Sequence, residues 1–138
     1  MILLDVMKFT VAVMVLVMAL SSCASASGMG LTIDGVNVPV QWADNESVKA
    51  LKDYAPLRAE LHMYGGFEQG GQLGMRLPRN DEKITTEPGD IMLYSGNQIV
   101  IFFEANTWEY TRLGKITGKS QKELESLLKK PGVVITIE

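Results

Sequence analysis

Few side chains in this sequence have the type and spacing to do chemistry. His62 is its only histidine and Cys23 its only cysteine. A disulfide within one chain and a cysteine-rich zinc site are therefore both excluded, and one histidine makes a poor start for any other metal site. His62 falls on the polar set of an alternating segment, where a surface position is expected. Glu104 and Glu109 bracket residues 105–108. A carboxylate pair suits acid–base work only where its surroundings perturb it, and these two read as solvated loop charges. Ser47 and Ser95 fit cap and turn positions, so no Ser-His-Asp set forms around them. Phe67, Trp108 and Tyr110 are aromatics in or beside loops, which suits either a binding surface or rings folded back over a barrel end. Residues 65–74 hold five glycines. They lack Gly-Lys-Ser/Thr and do not join a strand to a helix, which disfavours nucleotide binding. The run reads instead as a loop whose close backbone approach shapes the wall of a groove. Nothing in the sequence implies a cofactor.

The elements that position these residues belong to one domain, the number that 138 residues suit. The net charge is −3, with no basic excess and no block of like charges. Electrostatic binding to nucleic acid has little to work with. Lys129-Lys130 is short and fits cations at a helix C-terminus.

The start of the chain has a different character. Lys8 precedes a run over residues 9–20 that is apolar apart from Thr10. At about 12 residues it falls short of the roughly 20 that span a bilayer, and matches the apolar core of a secretory signal. Met7-Lys8 gives a cleaner positive start than residues 1–5, so Met7 is a candidate initiator. Leu20-Ser21-Ser22-Cys23 follows the run. The segment resembles the signal peptide of bacterial lipoproteins, whose lipobox has an aliphatic residue, two small residues and a cysteine. That resemblance implies cleavage after residue 22, a diacylglyceryl thioether on Cys23 and a place in the cell envelope, anchored to a membrane. Each buried methylene of such an anchor adds about 0.8 kcal/mol. Residues 23–29 are then a lipidated, flexible tether and residues 30–138 the domain.

Within the domain, alternating runs flank Asp34-Gly35, the strongest short signal for a hairpin. Pro39 belongs at an edge or a strand end. Asn45 caps a short amphipathic helix that Pro56 stops. Residues 57–64 alternate with period two as a strand, and residues 65–82 read as irregular. Glu87-Pro88-Gly89-Asp90 turns into a strand over residues 91–94. After the tight turn Ser95-Gly96-Asn97, residues 98–103 form an apolar run typical of a strand buried on both faces. Residues 105–108 read as a loop and residues 110–116 as a strand. Ser120-Gln121-Lys122-Glu123 is a capping box before a helix ended by Pro131-Gly132, and residues 133–137 close as a strand. The expected fold is mainly β: a closed antiparallel barrel of about seven or eight strands with two short capping helices.

Gly65-Gly66-Phe67-Glu68, Leu77-Pro78, Pro88-Gly89-Asp90-Ile91, Leu93-Tyr94, Gly96-Asn97 and Tyr110-Thr111-Arg112-Leu113-Gly114-Lys115-Ile116 resemble, in order and spacing, the small bacterial cyclophilin-like domains. The resemblance covers roughly residues 30–138 and implies the cyclophilin barrel without implying an activity. Prolyl isomerases of the cyclophilin type carry Phe-His-Arg and then Phe-Met-x-Gln-Gly-Gly. Their arginine donates to the proline carbonyl and to the twisted amide nitrogen, which favours the transition state over the planar ground state. Here the stretch reads Leu61-His62-Met63-Tyr64-Gly65-Gly66-Phe67-Glu68-Gln69-Gly70-Gly71. Met63, which has no donor, falls at the arginine position, and one residue is missing between Phe67 and Gln69. Arg76 is the nearby cation that could stand in. The resemblance and the loop aromatics together imply a shallow groove for a peptide or small ligand, lined by Phe67, Gln69, Arg76, Trp108 and Tyr110. An envelope prolyl isomerase using Arg76 and a structural envelope lipoprotein are the alternatives.

Overall fold

The computed structural model describes residues 28–138; the segment expected to be a signal and Cys23 lie outside them. Ten strands and two helices follow in chain order: β1 (Leu31–Ile33), β2 (Val36–Val38), β3 (Val40–Trp42), α1 (Glu46–Tyr54), β4 (Leu57–Tyr64), β5 (Glu68–Gln72), β6 (Glu82–Thr85), β7 (Asp90–Tyr94), β8 (Gln98–Phe102), β9 (Thr107–Ile116), α2 (Gln121–Leu128) and β10 (Gly132–Ile137). The sheet order is β2-β1-β10-β4-β5-β8-β7-β9-β3, and β6 pairs with β9 off this path. Every pairing is antiparallel. Because β2 and β3 flank Pro39, one stretch of chain pairs with β1 at one end of the order and with β9 at the other. The result is a nearly closed barrel. Pro39 has no amide to donate and sits where the chain changes partners, so no ladder hydrogen bond is lost there.

Local chemistry explains the elements. Asp34 and Gly35 adopt φ of 48° and 80°. Two positive φ values give the twist that a tight antiparallel hairpin needs. Asn45 caps α1 by accepting from the Val48 amide at 2.9 Å. Ser47 is not the cap: it is buried in the first turn, and its hydroxyl donates to the Pro78 carbonyl, tying α1 to the 73–81 segment. Ser120 and Glu123 form the reciprocal capping box of α2.

Strand β8 shows why its sequence is almost wholly apolar. Ile99, Ile101 and, just beyond it, Phe103 point into the main core with Leu31, Ile33, Leu61, Leu93 and Ile135. Val100 and Phe102 point to the other face, where they pack with Ile84, Met92 and Tyr110. Val48 and Leu51 of α1 and Leu124 and Leu128 of α2 also enter the main core. The sheet thus has a second, smaller apolar cluster on its outer face, partly covered by β6.

Three expectations are corrected. Residues 68–72, expected within a loop, form the central strand β5 between β4 and β8. Glycine depletes the usual strand signal, yet here the backbones need it: a Cβ on Gly71 would lie 2.3 Å from the Glu60 carbonyl oxygen. Residues 82–85 form β6, which is legible as a strand only through its pairing with β9. Strand β9 begins at Thr107, so Trp108 lies in a strand and not in a loop.

Candidate functional site

On the outer face of the sheet, beside the smaller cluster, lies a pocket of about 420 Å³. That is within the size range of small-ligand sites. Its lining comes from five adjoining strands and one loop: Tyr64 of β4, Glu68 and Gly70 of β5, Gln98 and Val100 of β8, Tyr94 of β7, Trp108 and Tyr110 of β9, and Asn106. Strand alternation selects these residues. On β5, Glu68 and Gly70 face the pocket, while Gln69 and Gly71 face inward. Gly70 leaves the floor low: a Cβ there would lie 3.5 Å from the Tyr64 ring and 3.7 Å from Val100.

The rings are held by one another. Phe102 and Tyr110 meet edge-on at a centroid distance of 5.4 Å, and Tyr94 and Tyr110 lie tilted at 6.2 Å. Phe67 stands parallel to Phe102 at 6.4 Å and backs the pocket without lining it. The Phe67 ring covers Gly65, whose φ of 61° and lack of a side chain leave that space open. Trp108 is 59% exposed, a large apolar surface offered to solvent.

The polar groups are few and fixed. The Asn106 amide donates to the Tyr110 hydroxyl at 2.8 Å. Thr86 holds Asn106 in turn: its hydroxyl donates to the Asn106 carbonyl at 3.0 Å and accepts the Asn106 amide at 2.9 Å. With Asn106 donating to it, the Tyr110 hydroxyl keeps its own proton for another acceptor. Glu68 is the one ionisable carboxyl in the lining. Its Oε2 is sealed from water and has no hydrogen-bond partner among the described residues. Burial pushes the Glu68 carboxyl up from 4.5 to about 7. Burial likewise raises the Tyr110 hydroxyl, with a smaller contribution from the Glu68 charge. Among the described residues, no group of three His, Cys, Asp or Glu side chains could hold a metal ion.

Residues 31–138 match the model of the Cyclophilin-like family. The chain belongs to that family. The solution structure of a hypothetical protein from Archaeoglobus fulgidus is similar to it, with a TM-score of 0.57 and 19% identity over 80% of this chain and 92% of that one. At that identity the likeness concerns the fold. No curated protein matches the chain.

The cyclophilin-like domain brings together only some of the residues singled out from sequence. Trp108 and Tyr110 line the pocket, and Phe67 supports it from behind. Gln69 lies on the other face of β5 and is fully buried. Its amide donates to the carbonyls of Leu128 at 2.8 Å and Lys130 at 2.6 Å, where it holds the end of α2. Neighbouring positions in a strand face opposite sides, so Glu68 takes the pocket side and the glutamine turns inward. Arg76 is exposed, donates to the Ser95 carbonyl at 3.4 Å and is not part of the lining. Met63 packs against the main core, so the position that the resemblance gives to an arginine also turns away. His62 and Glu104 are exposed, as is Glu109, which lies in β9. Glu68 itself escapes a reading by composition. Its signal is positional, and appears only once residues 68–72 are known to be a strand.

Proposed function

We propose that this chain is a membrane-tethered cyclophilin-like binding domain whose outer-face pocket takes a small ligand or a peptide side chain. The observation that carries the reading is the pocket itself. Four aromatic rings, a half-buried carboxyl and a fixed amide–hydroxyl pair converge on a cavity that the barrel does not need for its own packing. Binding sites are mostly apolar and aromatic with a few oriented polar groups, and this one has that make-up. Trp108 and Tyr110 provide contact area, Asn106 and Tyr110 orient the guest, and Phe67 keeps the floor rigid. The Leu20-Ser21-Ser22-Cys23 motif supports the tether.

The pocket is tested by screening small amines, amides, aromatics and short peptides against the protein by NMR. Guests should move the Glu68 and Gly70 amides and the Trp108 indole together, and Trp108→Ala should weaken them. Guests that leave those three resonances still and gather elsewhere would overturn the assignment. The tether is tested by labelling cells with a radioactive fatty acid. Cys23→Ser should abolish incorporation, and label retained by the variant would refute it.

A further inference from the structure

We infer that the guest of this pocket is an organic cation, an ammonium or guanidinium group seated among Tyr64, Tyr94, Trp108 and Tyr110 with its charge against the Glu68 carboxylate. The inference rests on the pocket reading above and gives it a chemistry. A carboxylate drawn out of water is costly unless a cation or hydrogen-bond donors face it. Glu68 has neither for its Oε2, and its pocket neighbours are tyrosines, tryptophan, valine, glycine and two amides. The charged side chains that share this face on neighbouring elements are Glu60 and His62 of β4, Glu82 of β6 opposite Tyr110, Arg112 of β9 opposite Met92, and Glu104 just past β8. All five are exposed and lie outside the lining. The chain therefore supplies no counter-ion within the pocket. A guest that brings one relieves the burial of Glu68 on binding.

The rings favour the same guest. The faces of tyrosine and tryptophan attract a cation held within about 6 Å of their centroids, most strongly when water is excluded. Walls of this kind around a carboxylate suit a cation with an apolar collar better than a bare metal ion, which would need several oxygen ligands. A neutral guest gains the rings but leaves the carboxylate as it was, and an anion is repelled. The raised Glu68 pKa fits this arrangement, because the same burial that disfavours its charge makes a cationic partner more valuable.

The experiment is an NMR titration of the protein with butylammonium, N-acetyl-lysine methylamide and N-acetyl-arginine methylamide, beside the uncharged butanol. The Glu68, Gly70 and Trp108 resonances report. The cations should bind and butanol should not, and Glu68→Gln should weaken the cations by about tenfold, the change that 1.4 kcal/mol produces. Affinity should rise between acidic and mildly alkaline pH as Glu68 ionises, and should do so equally in His62→Gln. Tighter binding of the amino-acid amides than of butylammonium would assign the cation to a peptide side chain, and the reverse to a free amine. If butanol binds as tightly as the cations, or Glu68→Gln leaves cation affinity unchanged, the pocket stands and the cationic guest is refuted. If none of the four moves a pocket resonance, while other guests from the screen do, the cation is again refuted. If nothing ever moves them, the pocket reading falls as well.

Discussion

Replacing Glu68 by glutamine should change how the stability of the domain depends on pH, and the structure gives the size and the window. In the folded chain the carboxyl is raised from 4.5 to about 7 by burial. Below pH 4.5 both folded and unfolded chains hold the Glu68 proton, and this carboxyl costs folding nothing. As pH climbs toward 7 the unfolded chain releases the proton while the folded chain keeps it, so folding is progressively disfavoured. Above about pH 7 the loss is complete. At about 1.36 kcal/mol per pH unit, the interval corresponds to at most about 3.4 kcal/mol. Glu68 is only half buried and one side of the pocket is open to water, so screening reduces this to about 1–2 kcal/mol. Glutamine has the same shape and cannot ionise, so the variant lacks this decline and exceeds the wild type above neutrality. Carboxyls such as Glu87, held down by Lys115, and Glu123, held down by the Ser120 amide and hydroxyl, are common to both proteins and cancel in the difference. Urea denaturation of wild type and variant from about pH 4 to about pH 8 measures the gap through the midpoints. A Glu68 carboxyl carbon that titrates near 4.5, or two stability profiles that run parallel, would refute the reasoning.

Three further outcomes are expected. Gly71→Ala should destabilise the domain by at least about 1–3 kcal/mol, because the new methyl meets the Glu60 carbonyl, a backbone atom that cannot rotate away; a thermal melt checks this, and an unchanged midpoint would contradict the close approach. Gln69→Ala should cost about 2–4 kcal/mol, two hydrogen bonds from a fully buried side chain, one of them to the buried Leu128 carbonyl. Faster hydrogen exchange at the end of α2 with unaltered ligand binding is the expected signature, and weakened ligand binding would place Gln69 in the site after all. Finally, an Ala-Pro peptide mixed with the protein should give no cis–trans exchange cross-peaks at sub-second mixing, since uncatalysed exchange takes tens to hundreds of seconds and the pocket lining contains no arginine. Cross-peaks would establish an isomerase that works without that donor.

Much of the fold is legible in the sequence because local chemistry and tertiary role agree. Asp34-Gly35 turns where a positive φ is required, Ser120 and Glu123 cap a helix, and residues 57–64 alternate because one face of β4 is buried and the other wet. The two-faced burial of β8 is visible in its apolar run, although the split of Phe102 and Phe103 between two clusters is not. Strand β5 is hidden because glycines chosen for close approach erase the composition by which a strand is recognised. Strand β6 is hidden because only Ile84 in it is buried. The site inherits both gaps. Trp108 and Tyr110 stand out as aromatics, whereas Glu68 and Gln69 exchange roles through a register that the loop reading of residues 65–74 conceals. Tyr64 and Tyr94 look like ordinary strand residues until five strands bring them together.

The placement of β10 between β1 and β4 has a consequence for how the domain is made. Leu31 pairs with Ile137 and His62 with Gly132, so a strand late in the chain order is inserted between two that come much earlier. Such contacts are costly to form because the intervening chain must be ordered first, and they slow folding. Until β10 docks, β1 and β4 each present a bare edge, open to mispairing with other chains. The barrel therefore cannot close before β10 is available, and a partly made or partly unfolded chain exposes the edges that this strand covers.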